Sequence, residues 1–274
     1  MSHLHTSATA LLSFNQVTVA LGKRQFGPFT LSIQPGEQVA ILGPSGAGKS
    51  TLLKLLAREL TPASGQAQFE QRSLHDWSLA ELSRRRAILP QSHEVAFGLP
   101  VDLVIGLGRV ARTYDPQLSS IVQQAAEQAS AVHLLGRRFD TLSGGEKARV
   151  QMARVFAQLW DVEQGLLLVD EPLAALDPGL QFSLMEAIYT FASKRGHAIL
   201  AILHDINQAL QGFERLIFIK HGAMVGDYQT PHVTLPLLEA LYEVRLASAV
   251  TETGEVIVAP SLKQVAAASL QIVR

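Results

Sequence analysis

The stretch Gly43, Pro44, Ser45, Gly46, Ala47, Gly48, Lys49, Ser50 and Thr51 follows the spacing G-x-x-x-x-G-K-[ST]. Glycines at 43, 46 and 48 let the backbone wrap closely enough for successive N–H groups to face a chain of phosphates. Lys49 would neutralise the outer phosphates, and the Ser50 hydroxyl would ligate Mg²⁺. Such a site also needs a carboxylate for the metal and a group that positions water near the last phosphate. Asp170 and Glu171 end the apolar run Leu166–Val169 and supply both: Asp170 is assigned to Mg²⁺, through a water, and Glu171 to the attacking water. These two motifs describe a nucleoside triphosphatase site of no particular kind.

Leu142, Ser143, Gly144, Gly145 and Glu146 form a third segment, shortly before Asp170 and at the start of a helical pattern that runs from Gly144 to about Leu159. Ser143 has the side chain of a helix cap, and the amides of Gly144 and Gly145 add a second group of N–H donors that suits an anion. One chain cannot easily bring two such cradles to one triphosphate. A two-fold dimer resolves this, each chain closing its Leu142–Glu146 segment on the nucleotide held by its partner. On that reading a single chain carries half of each catalytic site.

The loop at 43–51 needs a strand before it and a helix after it, and the pattern provides both. Gln38–Leu42 is a short apolar run, and Ser50–Leu60 has apolar residues at helical spacing. Residues 12–20 alternate apolar and polar, and Phe29–Ile33 repeats the pattern before the turn at Pro35-Gly36, which predicts an antiparallel ribbon. From about Leu79 to Arg138 the pattern is mostly helical, broken at Pro90, at Gly98-Leu99-Pro100 and at Tyr114-Asp115-Pro116. Beyond it, a helix to about Leu159, a buried strand at Leu166–Val169, a helix from about Gly179 to Lys194 and a strand at His197–Leu203 alternate strictly. Parallel strands joined by crossover helices give that order. Leu216–Lys220 and Ala223–Tyr228 flank His221-Gly222 as a hairpin, and Arg245 to Arg274 gives only a weak strand at Glu255–Val258 and a short helix.

With 274 residues the chain can bury one large core and a smaller lobe. A formal net charge of -1 speaks against nucleic acid as a partner. The absence of Cys excludes disulfides, a thiol nucleophile and thiolate metal ligands. No transition-metal site is assigned, and the histidines other than His204 are expected at the surface. The apolar runs are far shorter than the roughly 20 residues of a membrane helix. Met1–Ala10 lacks the basic residues of a signal peptide. Contact with a membrane would therefore go through a partner.

Taken in order, Gly43–Thr51, Gln91, Leu142–Glu146, Asp170-Glu171, Ala175-Leu176-Asp177 and His204 resemble the motif set of the ATPase subunits of ABC transporters, and the resemblance runs from about Leu12 to Leu246. It implies an α/β fold: a P-loop NTPase core with a mainly parallel sheet, an N-terminal antiparallel β subdomain and a helical subdomain inserted at about 79–160. Residues 12–246 would be the ATPase domain and 247–274 a C-terminal extension. It also implies ATP and Mg²⁺, a head-to-tail homodimer of ATPase subunits, two transmembrane permease subunits, and a periplasmic substrate-binding protein reached through the permease. The chain would sit on the cytoplasmic face of the cell membrane without touching the transported substrate. Gln91 would join Lys49, Glu171 and His204 in catalysis and link the Mg²⁺ and water to the permease. Asp177 would communicate across the dimer, and His204 would hold the last phosphate with Glu171. Each also has a plainer reading: Gln91 as a loop residue, Asp177 as the cap of the helix behind Pro178, and His204 as a helix-capping neighbour of Asp205.

Departures from the family pattern are few. Leu21 before Gly22 replaces the aromatic residue that stacks on adenine, with Phe26 the nearest substitute in sequence; Lys147-Ala148 replaces a Gln pair, and Ala174 a Ser. Ala87–Phe97, Pro100-Val101-Asp102, Ile105–Arg109, His204–Ala209 and Leu241–Val244 resemble the importer subfamily that serves iron-siderophore, haem and vitamin B12 uptake. Ala153–Trp160 is most similar to its haem-import ATPases. The resemblance thus implies ATP hydrolysis coupled to haem import, with a ferric siderophore or vitamin B12 as the alternative cargo. A soluble ABC ATPase uncoupled from transport is the competing reading.

Overall fold

The computed structural model describes residues 9–90, 98–170 and 176–261. β1 (Leu12–Leu21) and β2 (Arg24–Ile33) form an antiparallel ribbon, and β3 (Gln38–Leu42) runs into α1 (Lys49–Leu56). β4 (Ser64–Phe69) and the short β5 (Arg72–Ser73) extend the ribbon into a four-stranded antiparallel sheet. After α2 (Leu79–Ser83) and β6 (Arg86–Leu89) come α3 (Val101–Gly106), α4 (Leu118–Gln128) and α5 (Gly144–Leu159). β7 (Leu166–Asp170), α6 (Pro178–Arg195), β8 (Ala198–Ile202), α7 (Ile206–Gly212), β9 (Arg215–Lys220) and β10 (Ala223–Gln229) follow. α8 (Leu235–Tyr242) then precedes a hairpin of β11 (Leu246–Val250) and β12 (Val256–Pro260).

The second sheet has six strands in the order β10-β9-β3-β8-β7-β6, parallel except for β10. Its two faces feed two cores. Val39, Ile41, Leu166, Leu168 and Leu200 pack with α1 and the antiparallel sheet, whereas Ala40, Leu42, Leu167, Val169 and Ile199 pack with α3 to α6. Because alternate side chains enter opposite cores, each strand reads as an unbroken apolar run. The antiparallel ribbon, the β9–β10 hairpin, and the strands and helices alternating from α5 to β8 match the sequence expectation to within a few residues.

β6 departs from the mostly helical pattern expected there. Its four residues begin with Arg86, which breaks the apolar signal, yet this side chain is only 7% exposed and its guanidinium donates to the Leu56 carbonyl at 2.8 Å. The charge that hides the strand from pattern reading ties it to α1. Another exception is His197, expected at the surface but 1% exposed. Its Nδ1 accepts the Gly165 N–H at 2.9 Å, and burial pushes its pKa down to about 4, so the ring is a neutral brace between the starts of β7 and β8.

Arg109 ties the turn after α3 to α5. This side chain is 2% exposed and bonds Asp115 at 2.5 Å, Asp161 at 2.9 Å and the Ala157 carbonyl of α5 at 3.1 Å. At Gly108 an added Cβ would lie 2.2 Å from the Arg154 carbonyl, so only glycine lets this turn approach α5. The weak C-terminal strand is β12, paired with β11. Asn207 on α7 holds it with both ends of its amide: Nδ2 donates to the Val258 carbonyl at 3.0 Å, and Oδ1 accepts the Val258 N–H at 2.7 Å. Among the described residues, no helix is long and apolar enough to cross a membrane.

Candidate functional site

The loop between β3 and α1 is shaped by close contacts on three sides. At Gly43, with φ 156°, an added Cβ would lie 2.0 Å from the Ile219 carbonyl of β9. At Gly48, the left-handed N-cap of α1 with φ 105°, it would lie 2.9 Å from the Phe26 ring. The turn at His221-Gly222 braces the loop from outside: Gly222 N–H donates to the Ala47 carbonyl at 2.8 Å, and Gly27 N–H donates to the Gly222 carbonyl at 2.7 Å. Lys49 is 4% exposed, and its ammonium donates to the carbonyls of Gly43 at 2.9 Å and Pro44 at 3.1 Å. Ser45, Gly46 and Ser50 are exposed at the mouth, while Pro44 and Thr51 are half-buried. The result is a helix N-terminus with its amides on a rigid, accessible rim, the arrangement that binds anions.

Register places two further residues on the same sheet edge. β3, β8 and β7 are adjacent, with Ile41 opposite Ile202 and Ile202 opposite Asp170. The loop therefore leaves the sheet level with Asp170, whose carboxylate is half-buried, and with the end of β8, two residues before His204. Ligands of parallel α/β sheets bind at this carboxyl edge. His204 is exposed, and the capping beside it is done by Asp205, which accepts the N–H groups of Asn207 at 2.7 Å and Gln208 at 3.2 Å. The expectations for Gln91 and Glu171 fall outside the described residues.

The third segment has different neighbours. Leu142 is buried, Ser143 and Gly144 are exposed, and Gly145 packs so closely on Leu180 that an added Cβ would lie 2.5 Å from its Cδ2. Ser143 caps α5 reciprocally with Glu146: its Oγ accepts Glu146 N–H at 3.3 Å, and its own N–H donates to Glu146 Oε2 at 2.7 Å. Asp177 caps α6 in the same region, accepting Leu180 N–H at 3.0 Å with Pro178 in the first turn, as its plainer reading predicts. Loop 43–51 is thus set among β2, β9 and the 221–222 turn, and segment 142–146 at the junction of α5 and α6.

Phe26 does not serve as an exposed stacking platform. Alternation along β2 turns it inward, where it is 7% exposed and fills the space beside Gly48 and Gly222. Leu21, at 39% exposed, and Arg24, whose guanidinium lies 5.5 Å over the Phe26 ring, are what the ribbon presents at that end. Arg137 carries no signal in the sequence. Its Nη1 donates to Glu146 Oε1 at 2.8 Å, yet it stands in an irregular stretch whose pattern signals no such contact.

A glycine-rich loop running into α1, at the carboxyl edge of a parallel sheet with Asp170 and His204, defines a P-loop nucleotide-binding protein of α/β class. The family model described as "ABC transporter" matches residues 26–174, and the chain belongs to that family and binds ATP. It is 44% identical over 203 residues to the hemin import ATP-binding protein HmuV of Pseudomonas aeruginosa, covering 73% of this chain and 79% of that protein. It is 43% identical over 218 residues to the protein of the same name from Methylobacillus flagellatus, covering 77% and 81%. Among solved structures, a chain of a metal-chelate type ABC transporter in an inward-facing conformation shares the fold with a TM-score of 0.78. The match covers 93% of this chain and 98% of that one at 22% identity.

Proposed function

We propose that this chain is the ATP-hydrolysing subunit of a membrane importer for haem, acting as a two-fold dimer that sandwiches two nucleotides. The observation that carries the reading is the pair of separate amide cradles, one at 43–51 with Asp170 and His204, the other at 142–146 among different neighbours. Each cradle would serve one side of a nucleotide, so each site needs residues from both chains. The cargo follows from the relatives, which carry the name hemin import ATP-binding protein. Two permease subunits would span the membrane, a periplasmic binding protein would deliver haem to them, and this chain would work from the cytoplasmic face.

In this reading the backbone amides of Gly43–Thr51 hold the phosphates, and Lys49 exchanges its loop carbonyls for phosphate oxygens. The donors available for Mg²⁺ are the exposed Ser50 hydroxyl and the Asp170 carboxylate, hard oxygen ligands of the kind that ion takes. Mg²⁺ when bound there neutralises phosphate charge. Glu171 orients or deprotonates the attacking water, and His204 holds the last phosphate. Ser143, Gly144 and Gly145 of the partner chain donate to the same phosphate and stabilise charge in the transition state. Gln91 relays the state of the site to the permease, and Asp177 relays it across the dimer. Dimer closure drives the permease to change its facing, and product release reopens it.

Glu171→Gln should bind ATP as the unaltered chain does, lose nearly all phosphate release, and accumulate as an ATP-dependent dimer in sedimentation. Wild-type turnover in that variant overturns the assignment. For the cargo, the periplasmic binding protein should bind haem in direct titration in preference to ferric siderophores and cobalamin; tighter binding of either of those replaces haem.

A further inference from the structure

The charge balance at the start of α5 assigns a role to a residue outside every motif. Glu146 occupies the third position of the helix, and both its carboxylate oxygens are engaged. Oε2 accepts the Ser143 N–H at 2.7 Å, and Oε1 accepts Arg137 Nη1 at 2.8 Å. The Ser143 N–H, then the Arg137 guanidinium, hold the Glu146 carboxyl below its ordinary pKa, so it is ionised. That negative charge sits in the first turn of a helix whose N-terminus, in the reading above, must receive a triphosphate. Unopposed, it would repel the ligand that the amides of Gly144 and Gly145 attract.

Arg137 is built into place. Its carbonyl accepts the Val101 N–H at 2.9 Å, its N–H donates to the Leu134 carbonyl at 3.1 Å, and the Gly136 N–H donates to Asp102 Oδ2 at 2.8 Å. The backbone is therefore pinned to the first turn of α3 before the side chain reaches α5. The neighbouring cations are engaged elsewhere: Arg138 is paired with Asp140 at 2.8 Å, and Lys147 lies over the Phe139 ring at 5.9 Å.

We propose that Arg137 is a positioning residue for nucleotide bound by the partner chain: it neutralises Glu146 and clamps the Ser143–Glu146 cap, so that the start of α5 meets the triphosphate as a net donor. The inference rests on the two-fold sandwich reading. A helix cap needs only an acceptor at Glu146, which a glutamine also supplies, whereas the ionised carboxylate needs a counter-ion.

Steady-state ATPase kinetics of the full chain assembled with its permease test this. Arg137→Ala should raise KM for ATP by about five-fold, the effect of one charge at a helix terminus, and the defect should shrink as salt screens it. In the double variant Arg137→Ala, Glu146→Gln, KM should return to that of Glu146→Gln alone, because no carboxylate is left to neutralise. Unchanged KM in Arg137→Ala, or a double variant as impaired as Arg137→Ala, overturns the inference. Thermal unfolding of each variant separates a folding defect from a binding one. Ser143→Arg, which blocks the helix start outright, separates the two levels. If it abolishes turnover while Arg137→Ala is unaffected, only the Arg137 role falls; wild-type turnover in Ser143→Arg overturns the sandwich and this inference together.

Discussion

Gly48 combines two demands that no other residue meets. It takes φ 105° at the N-cap of α1, and the Phe26 ring occupies the place where a Cβ would go. A Gly48→Ala chain must carry left-handed strain of about 1–3 kcal/mol and push the aromatic ring off the loop. Because in the proposed site the same backbone turn aims the amides at the phosphates, ATP affinity should fall by more than about ten-fold, beyond what the stability loss alone gives. Fluorescence titration with ATP beside thermal unfolding checks this, and unchanged affinity would show that the loop tolerates a different shape. At this scale the sequence was a good guide wherever chemistry depends on residue type in a fixed local frame. The loop 43–51, the Ser143 cap and the Asp177 cap could be read directly, since each acts on its immediate backbone neighbours. Phe26 and Arg137 could not, because the inward turn of the one and the reach of the other to Glu146 are set by tertiary packing.

Among the elements, the C-terminal hairpin shows how little holds some parts of the fold. β12 is fixed to α7 through the paired amide of Asn207, and β11 to α8 through the Leu246 N–H, which donates to Glu239 Oε1 at 2.8 Å. Asn207→Ala removes two of these bonds and leaves the half-covered Val258 backbone unpaired, a loss of about 1–3 kcal/mol. Hydrogen exchange at the Val258 amide should accelerate while the β7 and β8 amides stay protected, since opening is local. Equal protection at Val258 in both chains would mean that side-chain packing, not the Asn207 amide, docks the hairpin. α7 begins two residues after His204, so this contact also joins the C-terminal stretch to the sheet edge that carries the site. Long periodic elements such as α5 could be placed from sequence because burial repeats along them, while β6 was hidden by the buried Arg86 and β11 by its mostly exposed, short residues. The helices and strands of the core were thus legible, and the short elements that depend on one long-range contact were not.

For the whole molecule, the property to test is the proposed division of each catalytic site between two chains. A Lys49→Ala chain has a defective phosphate loop and an intact start of α5; a Ser143→Arg chain has the reverse. Each homodimer of such a chain has a fault in both sites. In the mixed dimer the two faults fall in one site, and the other joins the intact loop of the Ser143→Arg chain to the intact helix start of the Lys49→Ala chain. Random mixing makes half the dimers mixed, with one sound site of two, so turnover should recover to about a quarter of wild type from two inactive preparations. If both cradles instead served a nucleotide within their own chain, every site would keep one fault and mixing would restore nothing. Phosphate release measured across mixing ratios should peak at equal amounts of the two chains, since that ratio maximises the mixed species; a flat profile at the level of the separate variants would place the whole site in one chain.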